Sequence, residues 1–187
     1  MFKFIITILI FGLFACNQTN TKADTKILDF GVFTIETQES WTKIKEQGTD
    51  SYVGRIAIDN NDTLDFDLGW YSNKLYETDV TILDSSMMNL VDTNAADFYS
   101  IIFVKDKNLV DPDKYRKNNI SWDTIDGYKA KIVYPRQSGI GITGIYIDSL
   151  WQAGSDVDRF NLYGTNLKPD NEKKLLAALQ TLKFHKK

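Results

Sequence analysis

The 187-residue chain has 25 acidic and 22 basic residues and a formal net charge of -3, so it lacks the basic excess of a nucleic-acid-binding surface. Hydrophobic residues make up 43% of the sequence and aromatic residues 13%, which supplies enough apolar material for one packed domain. The single cysteine, Cys16, and the single histidine, His185, argue against a disulfide framework, a zinc site and a Ser-His-Asp triad.

The amino-terminal 15 residues have the pattern of an export signal. Lys3 precedes an apolar run from Phe4 to Phe14, which is too short for a membrane-spanning helix of about 20 residues. Leu13-Phe14-Ala15-Cys16 resembles the lipobox of bacterial lipoproteins, and this resemblance implies cleavage after Ala15 and acylation of Cys16. Loss of the signal removes Lys3, so the net charge of -3 falls by one to -4. The alternatives are a plain secretory signal or a membrane helix with an incidental cysteine.

The sequence divides into three parts by composition. Residues 1–15 are the signal peptide, residues 16–26 form a polar tether that has little to bury, and residues 27–187 form one folded domain. Asn17, rather than an aspartate, follows the cysteine, which favours the outer membrane over the inner membrane. The lipid at Cys16 is therefore expected to hold the protein in the cell envelope.

The first part of the domain is predicted to be β structure. Alternation in Ile27 to Glu36 indicates a half-buried strand, and Trp41 is expected in the core. Tyr52 to Ile58 and Thr63 to Tyr71 are predicted to form a hairpin, because Asn60-Asn61 tolerates the positive φ of a two-residue turn. In that register Phe66 lies opposite Arg55. The apolar side chains that share the core face are then Leu64, Phe66, Leu68 and Trp70.

The opposite face of the second hairpin strand carries two carboxylates. Asp65 and Asp67 are two residues apart, so their Cα atoms lie about 6.6 Å apart at strand rise. Such a pair suits a hard cation or acid–base chemistry. It is also the pattern of an ordinary solvated strand face, and the sequence leaves the two interpretations open.

The remaining elements complete an α+β domain. Leu83, Met87, Leu90 and Val91 have helical spacing and predict a short mid-chain helix. Pro169 begins a carboxy-terminal helix with a buried stripe of Leu175, Leu176 and Leu179. A last strand or the helix end follows at Phe184. The other expected strands are Phe98 to Val104, Tyr128 to Tyr134, Ile140 to Ile147 and Arg159 to Tyr163, with loops at 106–119 and 151–158. The prediction is a single domain with a mostly antiparallel sheet of about six or seven strands flanked by these two helices.

The order of these motifs resembles that of PsbP-like and Mog-like domains, and the chain resembles small lipoproteins of Bacteroidetes-type bacteria. The resemblance rests on Phe33-Thr34-Ile35 before Trp41, Tyr52-Val53-Gly54, Leu64-Asp65-Phe66-Asp67-Leu68-Gly69, Ile125-Asp126-Gly127-Tyr128-Lys129-Ala130, Phe160-Asn161-Leu162-Tyr163-Gly164 and Thr181-Leu182-Lys183-Phe184. It implies an antiparallel sheet flanked by helices and a binding or assembly role. It carries over no catalytic residue.

A short motif that resembles the O-glycosylation signal of such bacteria occurs three times in the sequence. The three copies are Asp62-Thr63-Leu64, Asp123-Thr124-Ile125 and Asp148-Ser149-Leu150. Chance matches to so short a motif are common, so the sequence leaves glycosylation open.

The expected function is that of a membrane-anchored, non-enzymatic binding or assembly module without a cofactor. Its partners are the membrane, through the lipid at Cys16, and an unknown protein or small molecule. The candidate binding aromatics are Trp70, Tyr71, Trp122 and Trp151. The alternatives are an enzyme that acts on an envelope glycan through Asp65 and Asp67, and a small-ligand or cation-binding lipoprotein.

Overall fold

The structure is a computed structural model that describes residues 24–75, 80–92 and 101–185. The signal peptide, Cys16 and most of the tether lie outside these residues, as do the first three residues of the strand predicted from Phe98. Across the three described ranges, no helix has both the length and the apolar character that a membrane crossing requires.

The described residues form a mainly antiparallel α+β domain, as predicted. The strands are β1 (Thr25–Asp29), β2 (Phe33–Gln38), β3 (Thr42–Lys45), β4 (Tyr52–Ala57), β5 (Thr63–Gly69), β6 (Thr81–Asp84), β7 (Ile101–Val104), β8 (Asn118–Ile125), β9 (Tyr128–Pro135), β10 (Ile142–Ala153), β11 (Asp156–Thr165) and β12 (Lys183–Phe184), with helix α1 (Pro169–Leu179) before the last. One seven-stranded sheet has the order β3-β4-β5-β11-β10-β9-β8, a second sheet has the order β1-β2-β12, and β6 pairs with β7 in parallel.

The core lies where the seven-stranded sheet packs against β2 and α1. The ring centroid of Phe33 in β2 lies 5.1 Å from that of Phe66 in β5 and 5.0 Å from that of Phe160 in β11. Both contacts are edge-to-face, a geometry that stabilises aromatic pairs. Leu175 and Leu179 of α1 are fully buried in the same cluster, as predicted, whereas Leu176 is only partly buried against it. Trp41 also lies in this core.

The predicted β4–β5 hairpin is present, but its predicted register is wrong by one residue. Arg55 pairs with Asp65, and Gly54 pairs with Phe66. The turn holds three residues rather than two, because the Ile58 N–H bonds to the Asp62 carbonyl at 3.0 Å. A one-residue slip exchanges the faces of the partner strand. Ile56 therefore enters the core, and Arg55 joins Asp65 on the opposite face.

The core face of β5 ends earlier than the alternation predicts. Leu64, Phe66 and Leu68 are buried as expected. The alternation predicts the same face for Trp70, but the strand stops at Gly69 and 47% of Trp70 is exposed. Successive side chains alternate between the two faces only while the backbone remains extended.

Several predicted boundaries in the first 120 residues differ from the structure. Gly31, at φ 82°, turns the chain inside the segment predicted as one strand, so β1 and β2 form a hairpin that begins at Thr25, within the predicted tether. The mid-chain helix is a 3-10 helix, Ser85–Leu90, without buried residues. The loop predicted at 106–119 contains two short 3-10 helices, Lys107–Leu109 and Pro112–Tyr115.

The carboxy-terminal half contains more strand than the sequence predicts. The eight-residue strand β8 was not assigned, because its side chains from Ser121 to Thr124 are exposed and its alternation is weak. The loop predicted at 151–158 is instead the end of a long hairpin, in which β10 continues to Ala153 and turns at Gly154 with φ 65°. The closing β12 resolves the alternative at Phe184 in favour of a strand.

Candidate functional site

A polar pocket of about 300 Å³ lies on the face of the seven-stranded sheet that points away from the core. This outer-face pocket spans β4, β5 and β11. Its chemically active lining consists of Arg55, Asp65, Asp67, Asn73, Asn161 and Tyr163. The two predicted carboxylates are there because they alternate with the buried Phe66 along β5. The volume is at the small end of the range typical of ligand pockets.

Arg55 links two of the carboxylates at this pocket. Its Nε donates to Asp65 Oδ1 at 2.7 Å, and its Nη1 lies 3.4 Å from Glu46 Oε1. The hydrogen bond that Arg55 donates to Asp65 raises the pKa of the guanidinium above its ordinary value. The cross-strand pairing of residues 55 and 65 produces this contact, so the ion pair depends directly on the hairpin register.

Asp67 differs from Asp65 in having no such cation. Burial raises the pKa of its carboxyl, the charge of Asp50 adds to the rise, and the hydroxyls of Ser51 and Ser72 offset part of it. Neither hydroxyl completes a hydrogen bond to Asp67 Oδ1, which is buried without a partner. Asp67 as a whole is half-buried, and an unpartnered buried oxygen disfavours the charged form.

A strap from Ser72 to Leu75 borders the pocket and contributes Asn73 to its wall. Ser72 Oγ donates to the Asp67 and Arg159 carbonyls at 2.9 and 3.1 Å. Asn161 Nδ2 donates to the Asn73 carbonyl at 3.0 Å, and Lys131 Nζ donates to the Leu75 carbonyl at 2.7 Å. These bonds attach the strap to three strands, so the wall is ordered without any ligand.

Asn161 and Tyr163 form the floor of the pocket on β11. Asn161 is buried, and its Oδ1 accepts the Asp67 N–H at 3.1 Å. Burial raises the pKa of the Tyr163 phenol, and the charges of Asp65 and Asp67 add to this effect. The phenol is therefore neutral at physiological pH. Among the described residues its hydroxyl has no hydrogen-bond partner, so it can donate to a ligand.

The pocket combines hydrogen-bonding groups with an excess of negative charge. Residues 24–75, 80–92 and 101–185 contain no group of three or more His, Cys, Asp or Glu side chains placed to hold a metal ion. The arrangement can bind a polar molecule through donors and acceptors on several sides. It also places a carboxyl with a raised pKa near a carboxylate paired with arginine, which is a pattern found in acid–base sites.

The four predicted binding aromatics lie in three places. Trp70 and Tyr71 are 47% and 67% exposed, and their ring centroids are 4.9 Å apart. Trp122 lies on β8, separated from β5 by three strands, with Lys129 Nζ 4.6 Å from its ring centroid. Trp151 packs against the main core and donates to Asp158 at 2.9 Å. The exposed Trp70–Tyr71 pair is therefore the candidate protein-binding surface.

A second pocket of about 340 Å³ lies between the β1–β2 turn and β3. Phe30, Ile44, Tyr52 and Phe66 give it a mainly apolar lining. Its rim is tied together, because Tyr52 donates to the Phe30 carbonyl at 3.0 Å and Lys43 donates to the Asp29 carbonyl. Tyr52 and Lys43 are thus bound to backbone carbonyls and the lining is mainly apolar, so the outer-face pocket has the stronger chemistry.

Sequence reasoning identified Asp65 and Asp67 but missed Arg55, Asn161 and Tyr163. The alternation of β11 could have placed Asn161 and Tyr163 on one face, but nothing local shows that β11 lies beside β5. Only the correct register places Arg55 next to Asp65. Searches against protein-family models and against curated proteins found no match.

Proposed function

We propose that this chain is a lipid-anchored protein of the cell envelope, held in the outer membrane through Cys16, whose domain binds a small polar ligand without transforming it. The carrying observation is the convergence of Arg55, Asp65, Asp67 and Tyr163 in one pocket. Pockets with a few convergent polar groups and perturbed pKa values are typical of ligand sites.

The ordered state of the pocket supports a binding role. The Ser72 to Leu75 strap is already hydrogen-bonded to β5, β9 and β11, so a ligand would not have to order it. Preorganisation of this kind reduces the free-energy cost of association. A protein partner at Trp70 and Tyr71 is compatible with the same role, because an assembly module can bind a small ligand and a protein at separate surfaces.

The anchor is tested by replacing its acylated residue. Cys16→Ala should abolish fatty-acid labelling and release the protein from the membrane fraction, because two or more acyl chains are needed for stable anchoring. The matched control is Asn17→Ala, which should remain labelled and membrane-bound. A Cys16→Ala protein that still takes up labelled fatty acid would contradict the proposal.

The binding role is tested by calorimetry on the full-length acylated protein in nanodiscs. A panel of hexoses, amino sugars, amino acids and polyamines should contain a ligand, and Tyr163→Ala should weaken its binding about tenfold or more. Trp122→Ala removes an aromatic of β8, 57% exposed, and should leave binding unchanged. Arg55→Met is a second pocket variant, and thermal unfolding shows which variants fold. Panel-wide absence of binding, or binding insensitive to both pocket variants, would refute the role.

The raised pKa of Asp67 beside Asp65 favours one further candidate, a carboxylate-dependent enzyme acting on an envelope glycan. Protonated Asp67 would donate to a leaving oxygen, and Asp65 would activate the attacking water. Under this candidate, soluble peptidoglycan fragments are cleaved by the wild type and not by Asp67→Asn. An unchanged fragment mass spectrum after incubation with the wild type would eliminate it.

A further inference from the structure

We propose that the outer-face pocket takes a small molecule carrying a primary ammonium group, with an amino sugar as the best-fitting class. This inference rests on the proposed binding function and specifies its ligand. It follows from how the charged groups around the cavity are already paired with each other.

The charge around the cavity is unbalanced. Glu46, Asp65 and Asp67 line it against a single lining cation, Arg55. The guanidinium of Arg55 makes one contact to Asp65, at 2.7 Å, and one to Glu46, at 3.4 Å. Asp67 therefore contributes a carboxyl that Arg55 does not neutralise.

Two cations near the pocket are engaged elsewhere. Arg159 Nε lies 3.3 Å from Asp148 Oδ1, and Lys131 donates to the Leu75 carbonyl. The charge of Asp50 also acts on Asp67. The carboxyl of Asp67 therefore lies among lining groups with an excess of acidic side chains, and such a position attracts a cation and repels an anion.

An ammonium group meets the chemistry of this position better than a metal ion. It supplies three hydrogen-bond donors for Asp67 and needs no ring of oxygen ligands. The described residues offer no cluster of three metal-ligating side chains. Tyr163 lines the same cavity, and an aromatic ring is a favourable neighbour for an ammonium ion.

The rest of the cavity suits the hydroxyls of a sugar ring. The Tyr163 hydroxyl has no partner in the described part of the chain, and Asn73 stands exposed at the rim. Asp65 and Arg55 offer further acceptor and donor positions. A compact ring with several hydroxyls and one ammonium can use these groups together in a cavity of about 300 Å³.

The test uses three probes that share one ring: glucosamine, glucose and glucuronate, which carry an ammonium, a hydroxyl and a carboxylate. Calorimetry at about pH 7, where the amine is mostly protonated, is run on the full-length acylated protein in nanodiscs. Glucosamine should bind about tenfold or more tightly than glucose, and glucuronate should bind most weakly. Asp67→Asn should remove the preference for glucosamine and retain the binding of glucose.

Two controls separate the charge of Asp67 from its structural role. Asp123→Asn removes an exposed carboxylate of β8 and should leave all three affinities unchanged, while Tyr163→Phe keeps the ring and should keep the glucosamine preference. The wild-type ranking tests the inference even if Asp67→Asn does not fold. Equal binding of glucose and glucosamine, or tightest binding of glucuronate, would overturn the ligand class and leave the binding function standing. Failure of all three sugars, with another member of the wider panel bound, would overturn the class alone, and failure of the whole panel would overturn both.

Discussion

Gly144 controls how closely β10 approaches β11 beside the pocket. It pairs with Tyr163, and a Cβ added to it would lie 2.5 Å from Tyr163 Cβ, 2.6 Å from the Leu162 carbonyl oxygen and 2.8 Å from Tyr163 Cα. These atoms belong to the backbone or are bonded to it, so no side-chain rotation relieves the contact. Gly144→Ala must therefore separate the two strands locally and displace Tyr163.

Two effects of this substitution oppose each other, and their magnitudes decide the sign. Alanine is more stable than glycine in a strand by about 0.5–1 kcal/mol when space permits. Overpacking a buried site costs about 1–3 kcal/mol. We expect a net loss of about 1–2 kcal/mol, which lowers the Tm by about 2–8 °C for a domain of this size.

The assay is thermal and urea unfolding of the full-length acylated protein, followed by far-ultraviolet circular dichroism. Ser149→Ala, at an exposed position of the same strand, is the control and should change the Tm by less than about 1 °C. Because Tyr163 moves, glucosamine binding should weaken in Gly144→Ala alone. An unchanged or higher Tm for Gly144→Ala would show that the close approach of β10 and β11 is not as described.

Three further predictions concern the pocket, the helix and the surface. Burial raises the pKa of Asp67 in the folded state, so the protein loses stability as pH rises from the unfolded pKa through the raised folded pKa. Asp67→Asn should therefore raise the Tm at about pH 7 and give little gain at about pH 3. An equal gain at both pH values would contradict this. Asp62 Oδ2 accepts from the Lys168 N–H at 2.9 Å and from Asn171 Nδ2 at 2.7 Å, so Asp62→Ala should cost about 1–3 kcal/mol in urea unfolding, against no change for the exposed turn variant Asn60→Ala. The hydroxyl residues of the three glycosylation motifs, Thr63, Thr124 and Ser149, are exposed. Glycosylation there raises the intact mass of the native acylated protein by the mass of the attached sugars, and an unshifted mass would exclude it.

Local patterns predicted much of the secondary structure. The Leu64, Phe66, Leu68 alternation placed the correct residues of β5 in the core, because the side-chain period of a strand depends only on its own backbone. Pro169 and the helical spacing of the following leucines predicted α1, because this spacing also depends only on the local backbone. The predicted hairpin register was wrong because a pattern of alternation does not reveal the one extra residue in the turn. The Asp62 carbonyl holds that turn, and so does Asp59 Oδ1, which accepts from the Asn61 and Asp62 N–H groups at 2.8 and 2.9 Å.

The sequence by itself determined that Asp65 and Asp67 share a face of one strand. Only the tertiary structure decided that this face is a pocket rather than a solvated surface. Arg55 comes from β4, Asn161 from a strand 94 residues away, and the wall from the Ser72 to Leu75 strap. The physical reason is that alternation is a property of a single strand, whereas the burial and the electrostatics of a carboxyl depend on which other strands lie beside it.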